Sequence, residues 1–290
     1  MALTINGSIA SINAQRQLTK NTNALSQTFQ RLSSGLRVNS AKDDAAGLAI
    51  VTRMTAQIRG MNTASRNAND GISLVQVAEG ALSETTSALQ RMRELAVQSA
   101  NATNSDQDRL SLQTELAQLL SEVDRISKAS QFNGKPLFGG STNGVALAPA
   151  ISHFAGYFQV GPNAGQTVLV SIQRTTVSML GLSTAATTNF GISTLVKAQS
   201  TISVIDNALN SVSSIRATLG AMQTRFESIV ANLANVVENT DAARSRIQDA
   251  DIALETSNLT KNSILQQAGV AILAQANQQP SIALTLLSAR

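Results

Sequence analysis

The residue types that carry chemistry are sparse in this chain. Its 290 residues include no cysteine and a single histidine, His153. Without cysteine there is no disulfide, no thiolate nucleophile and no Cys-ligated metal. His153 stands among Ile151, Phe154 and Tyr157 with no acid close by in sequence. A catalytic histidine needs an orienting partner, so it reads as a strand-end residue. Acids pair at Asp106-x-Asp108, at Asp249-x-Asp251 and in the run Lys42-Asp43-Asp44. Two carboxylates supply fewer oxygens than a hard cation takes, whereas acids at a helix start face the positive end of its dipole. All three sites therefore read as helix beginnings. Met54 and Met61 stand seven residues apart, which suits packing in a helical seam rather than a metal box. No glycine-rich phosphate loop, nucleophile elbow or His-Glu-x-x-His string occurs. We expect no catalytic site, no cofactor and no metal.

Elements that would position a site are, by contrast, plentiful. Apolar residues make up 43% of the chain but aromatics only 3%, with seven Phe, one Tyr and no Trp. Leu, Ile, Val and Ala must supply the burial, a mixture suited to slim helices. From about Lys42 to Ser99, Met54, Met61, Ala68, Val75, Leu82, Leu89 and Ala96 recur every seven residues, with Ile58 and Ile72 beside them. Such a narrow seam needs a second helix to cover it. Asn101 to Ser105 breaks the pattern, and Ser105 with Asp108 resembles a capping box. Leu112, Leu116, Leu119, Val123 and Ile126 then step by four and three as a second helix. A third seam, Ala198, Ile205, Val212, Leu219, Phe226 and Leu233, lies far along the chain. Three seams of one period predict a small antiparallel bundle.

Between the helical halves, turn residues concentrate. Nine of the seventeen glycines lie from Gly134 to Gly191, and from Pro136 to Val196 the only charged residue is Arg174. Asn133-Gly134 is a hairpin signal. Phe154 to Val160 and Gln166 to Ile172 read as strands joined by Gly161-Pro-Asn-Ala-Gly165.

Charge is thin and unevenly placed. Charged residues are 14% of the chain and the net charge is +4, but no two basic residues adjoin. A phosphate-tracking surface needs concentrated positive charge, so no nucleic-acid partner is expected. The longest apolar run near the C-terminus, Ala268 to Ala274, is far short of the roughly 18 residues that span a membrane, and no membrane insertion is expected. The first residues have neither a basic region nor an apolar core of the Sec type.

Residues 1 to 15 and 262 to 289 carry no side-chain charge at all. Helix-period apolar residues persist there: Leu18, Leu25, Phe29, Leu32 and Leu36 near one end, Leu265, Ala268, Ile272 and Ala276 near the other. A surface helix of a monomer normally shows a charged outer face. Ends lacking one suit enclosure by protein, where ions are costly and neutral amides can pair. One pair of helices cannot enclose itself, so other copies of the chain are the expected walls. The nine residues just named are the candidate self-association set.

Several strings resemble the signatures of bacterial flagellin. They include Arg31-Leu-Ser-Ser-Gly-Leu-Arg-Val-Asn-Ser-Ala-Lys-Asp-Asp-Ala-Ala-Gly47, Ala64-Ser-Arg-Asn-Ala-Asn-Asp-Gly-Ile-Ser73 and Arg93-Glu-Leu-Ala-Val-Gln-Ser-Ala-Asn101. At the other end stand Ala243-Arg-Ser-Arg-Ile-Gln-Asp-Ala-Asp251, Ile264-Leu-Gln-Gln-Ala-Gly269 and Leu273-Ala-Gln-Ala-Asn277. The resemblance implies a mainly α fold with long antiparallel coiled-coil helices from both ends, a small β-hairpin region in the middle and no large outer domains. It divides the chain into 1–42 and 246–290 as an inner coiled coil, 43–135 and 197–245 as a helical bundle, and 136–196 as a short variable region.

The implied function is self-assembly into the extracellular flagellar filament, serving motility. Implied partners are other copies of the chain, an export chaperone of the flagellar type III route, and cap and junction proteins. Toll-like receptor 5 is an implied host partner, with Arg91, Leu95 and Glu115 at the matching positions. Ser183 to Thr188 would be a place for O-linked sugars. Alternatives are a hook–filament junction protein built on the same helices, or a minor surface flagellin with an adhesive or glycan-binding role.

Overall fold

The computed structural model describes residues 9–138, 152–182 and 190–288, with the side chains of all but 152–153 and 279–288 among them. The His153 side chain and the Ser183–Thr188 run therefore lie outside the described residues. Among these, the elements are α1 (Ile9–Ser34), α2 (Ala45–Ser99), α3 (Asp106–Ala129), β1 (Gln131–Phe132), β2 (Lys135–Pro136), β3 (Ser152–Gln159), β4 (Thr167–Gln173), α4 (Leu195–Gln248) and α5 (Ile252–Ser288). The chain is mainly helical, with two small antiparallel hairpins between the helical halves. It forms two compact units, Ile58–Val237 and Met1–Gln57 with Glu238–Arg290. The division falls within α2 and α4, inward of the 42/43 and 245/246 boundaries expected from sequence.

The larger unit is built on the seven-residue seams. Ala68, Val75, Leu82, Leu89 and Ala96 of α2 are 0% exposed, as are Leu116 and Val123 of α3 and Ala198, Ile205, Val212 and Phe226 of α4. They share one apolar cluster. Full burial of one such Leu or Val contributes about 1.5–3 kcal/mol. α2 and α4 run antiparallel, as Arg93–Asp206 at 2.7 Å and Glu79–Arg216 at 2.7 Å show. These half-exposed pairs align the helices more than they stabilise them.

Turn chemistry is local. Ser105 caps α3: it accepts from the Asp108 backbone N–H, and Asp108 reciprocates at the Ser105 N–H. Arg109, only 5% exposed, donates to the Asn101 and Asn104 carbonyls and ties down the α2–α3 turn. Asn133 (φ 49°) and Gly134 (φ 73°) sit in the left-handed region, as a tight two-residue hairpin requires.

The longer hairpin packs one face inward. Val168, Val170 and Ile172 are buried, and they pair across the strands with Phe158, Gly156 and Phe154. Tyr157 and Leu169 lie on the other face, 56% and 42% exposed. Asn67 of α2 donates to the Gln159 carbonyl at 2.9 Å, and the Phe158 ring meets Phe226 of α4 edge-on at 5.7 Å. Gly71 makes room for that ring, since a Cβ there would stand 2.9 Å from Phe226 Cζ.

The segment entering α4 is pinned by buried polar groups. The Ile192 N–H donates to Gln113 Oε1 of α3 at 2.6 Å, and Ser99 Oγ of α2 donates to the Ile192 carbonyl at 2.6 Å. Thr201 of α4 accepts from the Gly191 N–H and donates to the Gly191 carbonyl. These buried groups pair with one another, as burial demands.

Candidate assembly surfaces

In the smaller unit α1 and α5 lie side by side and antiparallel. Arg31 meets Glu255 at 3.3 Å. Asn262 Nδ2 donates to Thr28 Oγ1 at 3.4 Å. Ser11 Oγ donates to Asn277 Oδ1 at 2.7 Å. The backbones approach closely: a Cβ on Gly269 would stand 3.3 Å from Leu18 Cδ1. The chain segments bounding the pair are stitched by backbone bonds, Arg37 N–H to the Gln248 carbonyl and Ala250 N–H to the Gly35 carbonyl. Arg37 Nη2 also donates to the Ile247 carbonyl at 2.6 Å.

The acids singled out in the sequence serve these local structures. Asp251 accepts from the Ala253 and Leu254 N–H groups and caps α5. Asp44 accepts from the Gly47 N–H and caps α2. Asp43 accepts from the Ser40 hydroxyl and backbone N–H, from the Asn39 N–H and from Gln27 Nε2 of α1. Those bonds, the Ser40 hydroxyl foremost, hold its carboxyl below the usual carboxylate range. Asp108 is lowered in the same way by Ser105.

Eight of the nine expected self-association residues divide into two sets. Leu18, Leu25 and Leu32 are half-buried on the covered side of α1, and Ala276 is buried on α5. Phe29 is 61% exposed, Leu265 41% and Ile272 59%, and Ala268 is exposed as well. Leu36 is a correction to the helical assignment. Gly35, at φ +70°, ends α1 with its N–H on the Arg31 carbonyl, the role glycine takes past a helix end. Leu36 then forms an isolated antiparallel bridge with Asp249.

The outer side of α5 carries a stripe that the sequence reading identified only in part. Leu254, Ile264, Leu265 and Ile272 are 60%, 59%, 41% and 59% exposed, and they recur at helical spacing. Lys261 is the only charged side chain from residue 256 to 289. The covered side is unexpectedly polar, with Thr28 and Glu255 each 6% exposed. Tracking only apolar residues missed them. The signal was present, since Glu255, Asn262, Gly269 and Ala276 are themselves spaced by seven.

Of the three expected receptor-contact residues, the structure brings two together at the surface. Arg91 of α2 donates to Glu115 of α3 at 2.8 Å and to Glu94 at 3.0 Å. The Glu115 bond is the main reason its guanidinium is held above its ordinary value. Leu95, the third, is 0% exposed, in the same apolar cluster as Leu89, Met92 and Leu116.

Among the described residues no group of three acids or histidines could hold a metal, and no helix is long and apolar enough to cross a membrane.

Comparison with known proteins agrees with this geometry. Residues 5–143 match the model of the bacterial flagellin N-terminal helical region, and residues 202–287 that of its C-terminal helical region. A flagellin of Halalkalibacterium halodurans is 47% identical, covering 98% of this chain and 99% of that protein. A flagellin of Bacillus subtilis is 44% identical with the same coverage. Among solved structures, a Vibrio parahaemolyticus protein described as flagellar hook-associated aligns over 71% of this chain and 100% of its own, with a TM-score of 0.59. At 16% identity that likeness concerns the fold alone. Two family models spanning both helical halves, and relatives of nearly equal length matched end to end, place this chain in the bacterial flagellin family.

Proposed function

We propose that the chain is the repeating structural subunit of a flagellar filament, joined to its neighbours through α1 and α5 and serving motility. The observation that carries this reading is the outer stripe of α5, with Leu254, Ile264 and Ile272 each about 60% exposed on a helix almost without charge. Soluble monomers rarely leave a large contiguous apolar patch in water. Its burial against other copies contributes about 25 cal/mol per Å², so an interface of several hundred Å² stabilises a polymer by many kcal/mol before ordering costs. Leu18, Leu25, Leu32 and Ala276 act one level below, holding α1 to α5 so that the stripe is presented.

Ile272→Asp and Phe29→Asp are expected to abolish filaments while the unfolding transition of the larger unit stays unchanged. Negative-stain microscopy of concentrated protein and calorimetry of the same samples check this. Normal filaments from both variants would refute it.

On the same reading the subunit is secreted by the flagellar type III route. An export chaperone would cover the α5 stripe before assembly, and cap and junction proteins would meet the terminal helices at the filament ends. A chaperone complex that survives Ile272→Asp unweakened would argue against that use of the stripe. A Toll-like receptor 5 contact would fall on Arg91 and Glu115, whose side chains are 50% and 44% exposed, and not on Leu95, which is 0% exposed. Equal responses of receptor-bearing cells to the parent chain and to Arg91→Ala would remove this assignment.

A further inference from the structure

The leucines of α1 do not by themselves choose an alignment. Positions 18, 25 and 32 of α1 are all leucine, so a slide of seven residues offers α5 much the same surface. The polar layers do not repeat in this way. Arg31 faces Glu255, and Thr28, about one turn back along α1, faces Asn262, about two turns on along α5. Shifting α5 by one heptad would set Glu255 opposite Ala24, or past the end of α1 near Val38. A carboxylate only 6% exposed would then be buried without its cation, a heavily unfavourable state.

The same layer is poorly suited to stabilising the pair. Its contact is a single 3.3 Å approach, and Arg31 Nε is buried with no acceptor, which carries a desolvation cost. Buried polar positions in helix pairs are best attested as devices that fix register at the expense of stability.

We propose that Arg31 and Glu255, backed by Thr28 and Asn262, form a register key that admits one alignment of the two terminal helices. They are positioning residues. A slip of seven residues would carry Ile264 and Ile272 about 10 Å along α1 and spoil the identity of the stripes that successive subunits present. The key acts within one chain, so it can fail while the assembly reading stands, and the reverse.

The test uses the full-length chain, whose lack of cysteine permits clean pair insertion. Ser11→Cys with Asn277→Cys reports the observed register, and Ser11→Cys with Val270→Cys reports a one-heptad slip. A short thiol cross-linker is applied to dilute protein, and intramolecular products are separated from dimers on gels. The parent is expected to favour the first pair at least tenfold. In an Arg31→Leu/Glu255→Leu background the ratio should fall to within about twofold of unity. In the reversed pair, Arg31→Glu/Glu255→Arg, it should recover. The proposal is overturned if the parent shows no preference, if the leucine pair keeps the parent's ratio, or if charge reversal does not restore it.

Discussion

The bundle unit and the terminal unit use the same seven-residue period and reach opposite ends with it. In the bundle, three helices and a hairpin surround the seam, and Leu82, Leu89, Ile205 and Val212 are 0% exposed. In the terminal unit only two helices meet. Leu18, Leu25 and Leu32 stay half-buried, and Ile12, Phe29, Ile264 and Ile272 face water at 54–61% exposure. A period thus specifies that a helix needs partners, but not how many partners its own chain provides. The bundle's seam is covered within one molecule. The terminal pair has apolar surface left over, and that surplus is what a polymer can bury.

Truncating the two seams should separate these roles most sharply. Leu89→Ala is expected to cost the bundle about 2–5 kcal/mol, by lost transfer energy and a residual cavity. Ile272→Ala should cost the dispersed chain less than about 0.5 kcal/mol, as exposed substitutions do, while still reducing sedimentable polymer. Denaturant unfolding of both variants makes the measurement, and equal losses would erase the distinction drawn here.

A smaller effect is expected where the bundle is tight. Gly71→Ala places a Cβ 2.9 Å from the Phe226 ring, and overpacking of that kind costs about 1–3 kcal/mol. The hairpin should loosen with it, visible as faster amide exchange in β3 and β4. Ser105→Ala removes one half of the capping box at α3 and should cost about 1 kcal/mol, read as a lowered melting temperature with an unchanged fold.

The finest test lies in the terminal unit. Asp43 is ionised more readily in the folded chain than its ordinary value of 3.8. Its contribution to holding α1 against the 39–43 turn is therefore complete above that value and is lost as pH falls through the lower folded one. A carboxyl carbon titration should show a midpoint beneath 3.8 that Ser40→Ala moves upward. No movement would mean that the Ser40 hydroxyl is not the main cause.

Much of this was legible in the residues because the information is local. Every position of the α2 seam from Met61 to Ala96 is buried, since one helix face repeats at a fixed step wherever it packs. The Ser105 cap and the Asn133-Gly134 turn depend on neighbours within three residues. The burial of Leu95 is not local in this sense, because a residue next to the seam can face either the third helix or solvent, and only the position of α3 decides. Leu36 was misplaced because apolar spacing carried past Gly35, where a left-handed backbone ends the helix.

Sequence alone determined the helical periods, their caps, the hairpin turns, the absence of charge at both ends and a family signature that spans most of the chain. Those follow from side-chain chemistry and from steps of a few residues. Tertiary structure alone decided which side of α1 and α5 is covered, that Arg31 lies opposite Glu255 across 224 residues of chain, that Arg91 meets Glu115, and that Leu95 is buried. Such choices belong to contacts between distant segments, whose free energies depend on geometry that no local spacing encodes.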